Sequence, residues 1–176
     1  MSFTLNKCIM TITEHKILSH EEIEHKIRRI AYQIYETFVD EEEIVIAGIV
    51  ATGLTFAEKI STVLKEISDL NIILCEVTVD KVTPTNPVKT SLPESAYENK
   101  AIVLIDDVLN SGATLIYGVK HFLNVPVKKL KTAVLVDRNH KRYPIKADFK
   151  GISLSTSLQE HVSVEFGEDE NTAFLL

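Results

Sequence analysis

An α/β fold, with a central, mostly parallel sheet and flanking helices, is predicted by three features of the chain. Short apolar, β-branched runs alternate with stretches of helical periodicity, the pattern of strand–helix–strand units. The 176 residues are 45% hydrophobic, enough to bury a sizeable core as one domain over residues 1–176. Residues 102–105 run into Asp106 and Asp107 and then into the small-residue stretch Asn110, Ser111, Gly112, Ala113, Thr114. Such a segment places acids and backbone amides at the carboxyl end of a sheet, where open α/β proteins bind ligands.

The elements follow in order. Ser19 with Glu22 forms a capping-box pattern, and Ile23, Ile27, Ile30, Ala31, Ile34 and Phe38 recur at helical spacing, so residues 19–38 form an amphipathic helix. Residues 44–49 are a strand leading to Gly53, and Phe56, Ala57, Ile60, Val63, Leu64 and Ile67 restore helical spacing. Residues 72–79 form a second strand. The stretch 81–100, with Pro84, Pro87 and Pro93 among polar residues, reads as a mobile excursion of the length that is often functional. The third strand, 102–105, ends at the acids, a helix covers 114–123, and a fourth strand covers 130–136. Residues 152–154 and 162–166 are short strands expected to pair in a small hood over the sheet's carboxyl end, built from about 137–176, with the amino terminus a further contributor.

Composition narrows the classes of function. No run approaches the ~18 apolar residues of a membrane span, and residues 1–12 lack the pattern of a signal peptide, so a cytoplasmic protein without a membrane partner is expected. Cys8 and Cys75 stand too far apart for a CxxC pair and are expected to be reduced and structural. Residues 120–150 hold nine bases against two acids; with a net charge of −6, this +7 segment leaves −13 elsewhere. That face suits phosphates or RNA, although such a run is more often a solvated surface that keeps a domain soluble. His15, His20 and His25, at intervals of five, spread around a helix as surface residues, and Lys26, Arg28 and Arg29 suit pairing with Glu21, Glu22 and Glu24.

The sharpest chemistry lies at Asp106 to Thr114. With the strand finished at the acids, Asp106 and Asp107 reach a ligand, accepting hydrogen bonds from vicinal ribose hydroxyls or holding a divalent metal already on phosphate oxygens. Asn110, Ser111, Gly112, Ala113 and Thr114 offer an anion nest and a helix amino terminus to a phosphate. A solvated turn with a helix cap accounts for the same residues. Neither the GxGxxG fingerprint nor a GxxxxGK[ST] loop is present.

Residues 103–114, VLIDDVLNSGAT, resemble the phosphoribosyl-pyrophosphate motif of the type I phosphoribosyltransferases. Ala133-Val134-Leu135-Val136-Asp137-Arg138, followed by His140, Pro144-Ile145 and Ala147-Asp148, resembles more narrowly the bifunctional pyrimidine operon attenuator proteins with uracil phosphoribosyltransferase activity. Ile17-Leu18-Ser19, Arg28-Arg29-Ile30-Ala31 and Ser155-Thr156-Ser157 fit the same family. The resemblance implies the type I phosphoribosyltransferase fold and transfer of phosphoribosyl from phosphoribosyl pyrophosphate (PRPP) to uracil, giving uridine monophosphate (UMP) and pyrophosphate, with substrate-bound Mg²⁺. It implies that Asp106 and Asp107 orient the ribose and that residues 110–114 anchor the 5′-phosphate. The base is then expected near Asp137, Arg138 and His140, and a homodimer or larger homo-oligomer is expected.

The chain departs from that family where pyrophosphate should bind. The family's Lys-Thr-Arg-Gly run is replaced by Val50-Ala51-Thr52-Gly53, so the expected pyrophosphate loop of Ala51, Thr52 and Gly53 carries no cation. Ala113 stands where an Arg is common, and Lys81 is the nearest substitute for an Arg of the long loop. Lost charge-assisted hydrogen bonds weaken pyrophosphate binding by a few kcal/mol. The alternative to an efficient transferase is therefore a regulator of pyrimidine genes that senses nucleotide or PRPP, with RNA as its partner through Lys26, Arg28, Arg29 or the 120–150 segment.

Overall fold

The computed structural model describes residues 15–139, 141–155, 160–167 and 169–176. The strands are β1 (His15–Leu18), β2 (Glu43–Ile49), β3 (Asn71–Thr78), β4 (Lys89–Thr90), β5 (Ala101–Leu109), β6 (Lys129–Arg138), β7 (Phe149–Leu154), β8 (Val162–Phe166) and β9 (Asn171–Leu175). The helices are α1 (His20–Thr37), α2 (Thr52–Ile67) and α3 (Ala113–Phe122). A six-stranded sheet has the order β4-β3-β2-β5-β6-β7, parallel except for the two-residue edge strand β4. A second, antiparallel sheet has the order β1-β9-β8.

The period of two along the central strands explains the layers. Ile44 and Ile46 of β2, with Val103 and Ile105 of β5, pack into one core with Ile23, Ile27, Ile30 and Ile34 of α1 and Phe56, Ile60 and Leu64 of α2. Val45 and Ala47, with Ile102 and Leu104, pack into the other with Leu115 and Phe122 of α3 and Tyr97 of the long loop. From the central pair β2 and β5 the chain winds outward in both directions, through α2 to β3 and through α3 to β6. Crossovers of one hand running in opposite directions put their helices on opposite faces. The gap between the carboxyl ends of β2 and β5 is thus the topological switch point of the sheet.

The capping box of α1 is formed. The Ser19 Oγ accepts from the Glu22 N–H at 3.4 Å, and Glu22 Oε2 accepts from the Ser19 N–H at 2.9 Å. Arg29 does not pair with a glutamate of its own helix; its Nη2 donates to the carbonyls of Lys150 and Gly151, both at 2.7 Å, fastening α1 to β7. The stretch 81–100 holds β4 and a 3₁₀ turn at Glu94–Ala96, and is pinned by the fully buried Tyr97.

Two expectations change. β5 does not stop at Ile105: it pairs with β6 through Asp106↔Val134, Val108↔Val136 and Leu109↔Asp137, so both acids lie within the ladder. Ladder hydrogen bonds use the backbone alone, and a strand end read from apolar side chains falls short where polar ones continue the pairing. Residues 152–154 do not pair with 162–166. They belong to β7, which extends the large sheet beside β6, while β8 takes β9 and the amino-terminal β1 as its partners. The apolar side chains at residues 152 and 154 fit a buried parallel strand as well as a hood hairpin, and pairings such as His15↔Leu175 join residues no local pattern connects.

Candidate active site

At the switch point lies a cleft of about 270 Å³ lined by Lys81, Asp106, Asp107, Asn110, Thr114 and Arg138, among others. It brings together nearly all of the expected acid and phosphate-loop residues. β5 delivers the acids; the turn after it delivers Asn110 and Ser111; and α3 starts at Ala113, with Gly112 at its amino-terminal cap. Gly112 has φ +83°, a left-handed conformation that side chains with a Cβ resist, and an added Cβ would meet Ile145 Cγ2 at 2.6 Å. Here the sequence needs glycine twice over, for the turn and for the approach of residue 145.

The turn is held from outside. The Ser111 carbonyl accepts from the N–H groups of Arg142 (2.8 Å) and Tyr143 (3.1 Å), and Ser111 Oγ accepts from the Ala113 N–H at 3.3 Å. Arg138, the last residue of β6 and almost fully buried, donates from Nη1 to Asn110 Oδ1 (3.1 Å) and from Nη2 to the Glu160 carbonyl (2.6 Å). One planar guanidinium thereby joins the turn after β5 to the segment entering β8.

Asp106 is 5% exposed, and its Oδ1 accepts from the Asp107 N–H at 3.0 Å. Burial, and then the neighbouring Asp107 carboxylate, push the Asp106 pKa well above the usual range, and Lys81 opposes them. A cleft that forces two carboxylates together with one lysine nearby favours cations and hydroxyl donors at that spot. Gly53, at the start of α2, backs directly onto this acid: a Cβ there would lie 3.0 Å from both Cα and Oδ1 of Asp106.

Other expected residues fall elsewhere. Ala51, Thr52 and Gly53 are not among the residues lining the cleft, although Gly53 touches Asp106 from behind. Asp137 does not line it either. Its carboxylate, 2% exposed, lies 3.0 Å from Lys141 Nζ and 3.5 Å from Lys150 Nζ, so two ammonium groups neutralise it where it is buried. Arg138 does line the cleft, and His140 lies outside the described residues. Sequence reasoning missed His161 and Val162, which close the cleft from the start of β8. Nothing local marks them; they arrive through the β8–β9 pairing, reinforced by reciprocal backbone hydrogen bonds of 3.0 and 2.8 Å between His161 and Leu176.

The +7 segment is largely spent inside the fold. Lys128 pairs with Glu41 (2.8 Å), Lys129 donates to the Thr37 carbonyl (3.0 Å), and Lys131 pairs with Asp148 (2.7 Å). With Lys141 and Lys150 on Asp137 and Arg138 bonded as described, Lys120, Arg142 and Lys146 are the members of the segment whose side chains stand outside any ion pair or hydrogen bond among the described residues. No helix among the described residues is long and apolar enough to cross a membrane, and no group of three or more His, Cys, Asp or Glu there is placed to hold a metal ion unaided.

Comparison with known proteins agrees with this geometry. The model of the phosphoribosyl transferase domain family matches residues 14–171. The bifunctional PyrR protein of Streptococcus mutans is 32% identical over 155 residues, 85% of this chain and 88% of its own. That of Streptomyces coelicolor is 30% identical over 162 residues, 88% of this chain and 84% of its own. Among solved structures, a hypoxanthine-guanine phosphoribosyltransferase from Bacillus anthracis superposes with a TM-score of 0.70 at 22% identity, covering 84% of this chain and 86% of that one. A hypoxanthine phosphoribosyltransferase from Trypanosoma cruzi gives a TM-score of 0.71 at 20% identity, covering 84% of each chain. The fold is thus that of the phosphoribosyltransferases, and the chain belongs to the phosphoribosyl transferase family, within the group of the bifunctional PyrR proteins.

Proposed function

We propose that the cleft transfers phosphoribosyl from PRPP to uracil. The observation that carries this reading is the convergence of Asp106 and Asp107 with the Asn110–Thr114 turn in one cleft at the switch point. The 5′-phosphate sits in the turn at the start of α3, where backbone N–H groups and the helix dipole face it. The carboxylates take the ribose hydroxyls. As the C1–O bond to pyrophosphate breaks and the C1–N1 bond to uracil forms, positive charge develops on the ribose, and the two acids stabilise it by position. Pyrophosphate leaves with the electron pair of the broken bond, and the base loses its N1 proton.

Mg²⁺ fits this donor set. Two carboxylates, one destabilised by burial and by its neighbour, supply hard oxygen ligands but too few for a closed site, the pattern of a magnesium ion shared with substrate oxygens. Held by Asp106 and Asp107, it would neutralise the leaving pyrophosphate. Lys81 is the cleft residue suited to meet pyrophosphate charge, since the Val50–Gly53 stretch contributes none.

The test is Mg²⁺-dependent production of UMP from uracil and PRPP, run beside a panel of purine and pyrimidine bases. Consumption of a purine instead of uracil overturns the choice of base. Binding of UMP without turnover of any base favours the second reading, a nucleotide-sensing regulator, which the uncharged Val50–Gly53 stretch supports. RNA would be its partner, met by Lys26 of α1 and by Lys120, Arg142 and Lys146 of the basic segment, all of them outside any ion pair among the described residues.

A further inference from the structure

A second cavity, of about 180 Å³, opens between the long loop and α3, outside the cleft. Thr85 and Asn86 line it from the loop, and Tyr117, Lys120, His121 and Asn124 from the helix and its end. Its chemistry is one-sided. The lining holds an ammonium, two carboxamides, two hydroxyls and an imidazole, and no carboxylate, in a chain whose net charge is −6. Lys120 is exposed and outside any ion pair among the described residues; its Nζ stands 5.8 Å from the centre of the Tyr117 ring. His121 is fixed at one nitrogen, with Nε2 3.2 Å from the Tyr97 hydroxyl, and burial pulls its pKa down against the opposing charge of Glu94. A volume of this size holds about six waters at ~30 Å³ each and is below the roughly 300 Å³ at which drug-sized ligands are accommodated. A small anion meets those conditions.

The loop wall of this cavity is wired to the cleft. Asn86 Nδ2 donates to Asp80 Oδ2 at 2.8 Å, and Asp80 Oδ1 accepts from the N–H groups of Val82 and Thr83, both at 2.9 Å. Residues 80–86 are thereby closed into one unit, and Lys81, inside that unit, lines the cleft with Asp106 and Asp107. The far end of the loop is fixed to the same helix through Tyr97 and His121. α3 itself starts at the phosphate turn.

We propose that this cavity is an effector site for a small oxyanion, a phosphate or a short carboxylate, and that its occupancy steadies Lys81 for PRPP. The coupling, though not the site, rests on the reading of the cleft as a PRPP site. Lys120 supplies the charge, and Asn86 carries the signal to Asp80 and its neighbour. Linkage requires the effect to be reciprocal, with PRPP tightening the oxyanion by the same factor.

The experiment is calorimetric titration of the full chain with inorganic phosphate and, separately, with succinate, after the cleft has been saturated with UMP. Saturable binding that Lys120→Ala weakens tenfold or more is expected, and the probe that binds identifies the phosphate or the carboxylate source. Heat that disappears once UMP is present, heat unaltered by Lys120→Ala, or no heat from either anion overturns the site. With the bound anion present, the PRPP Kd should fall about fivefold, within the usual span of such couplings, and should not fall in Asn86→Ala. An unchanged PRPP Kd in the native chain overturns the coupling. Failure of both UMP and PRPP to bind would count against the cleft reading, and Lys120-dependent anion heat would then still establish the second site.

Discussion

The β5–α3 and β2–α2 connections are built alike and equipped differently. Each leaves one of the two central strands and starts a helix with a glycine in or beside its first turn, at the same switch point. The first presents Asp106, Asp107, Asn110, Ser111 and Thr114 to the cleft. The second presents none of its residues; its α2 starts without a side-chain cap after Val50 and Ala51, and its glycine presses on the back of Asp106. Topology supplies two adjoining places for anions, and side chains decide which is furnished. In this chain one connection lines the cleft with polar side chains and the other packs against the back of the acid.

That contrast can be broken at the furnished end. Asp106→Asn should lower kcat/KM about 10²–10³-fold, the scale of removing one preorganised charge-stabilising group. The same variant should be more thermally stable at alkaline pH without divalent cation. A buried acid with a raised pKa is easiest to accommodate protonated, so its contribution to stability falls as pH rises from the ordinary aspartate value through the raised folded value. The gain from Asn should therefore be larger at pH 8 than at pH 4 in parallel melting curves; equal gains would mean that burial does not burden this carboxyl.

Furnishing the bare connection is the converse. Val50→Lys combined with Thr52→Arg should raise kcat/KM for PRPP about tenfold or more, from one or two charge-assisted hydrogen bonds of ~1.5–3 kcal/mol each. No change would mean that pyrophosphate does not pass this connection. Lys81→Met tests which side now bears the leaving-group charge: the KM for PRPP should rise several-fold to tenfold while UMP affinity is nearly unaltered. The smallest effect should come from outside the comparison, with Ser19→Ala costing ~1 kcal/mol of stability by urea denaturation and leaving kcat/KM unchanged.

Much of this architecture is legible in the sequence, for physical reasons that also set the limit. α1 could be read to its cap because its signal is local: Ser19 and Glu22 three residues apart, then apolar residues at helical spacing. The central strands were legible because, buried on both faces, they are nearly continuous apolar runs. The acids and their turn stood out because a polar pair beside such a run needs an explanation. What escaped is non-local. Neither His161 in the cleft, nor the joining of β1 to β9, nor the place of β7 beside β6 is encoded within any window of the chain. Asp137 is expected at the base from the resemblance alone, whereas in the fold Lys141, four residues on, and Lys150, from the neighbouring strand, both pair with its carboxylate.

The fork of Arg138 has a consequence for traffic. By holding Asn110 and Glu160 on one guanidinium, it ties two sides of the cleft together. Any widening of the aperture has to come from the opposite flank, where Lys81 rides on a turn closed by hydrogen bonds among exposed residues. In the proposed reaction, substrate arrival and product departure would then share one doorway, and the rate at which that turn yields would cap turnover however fast the bond exchange within.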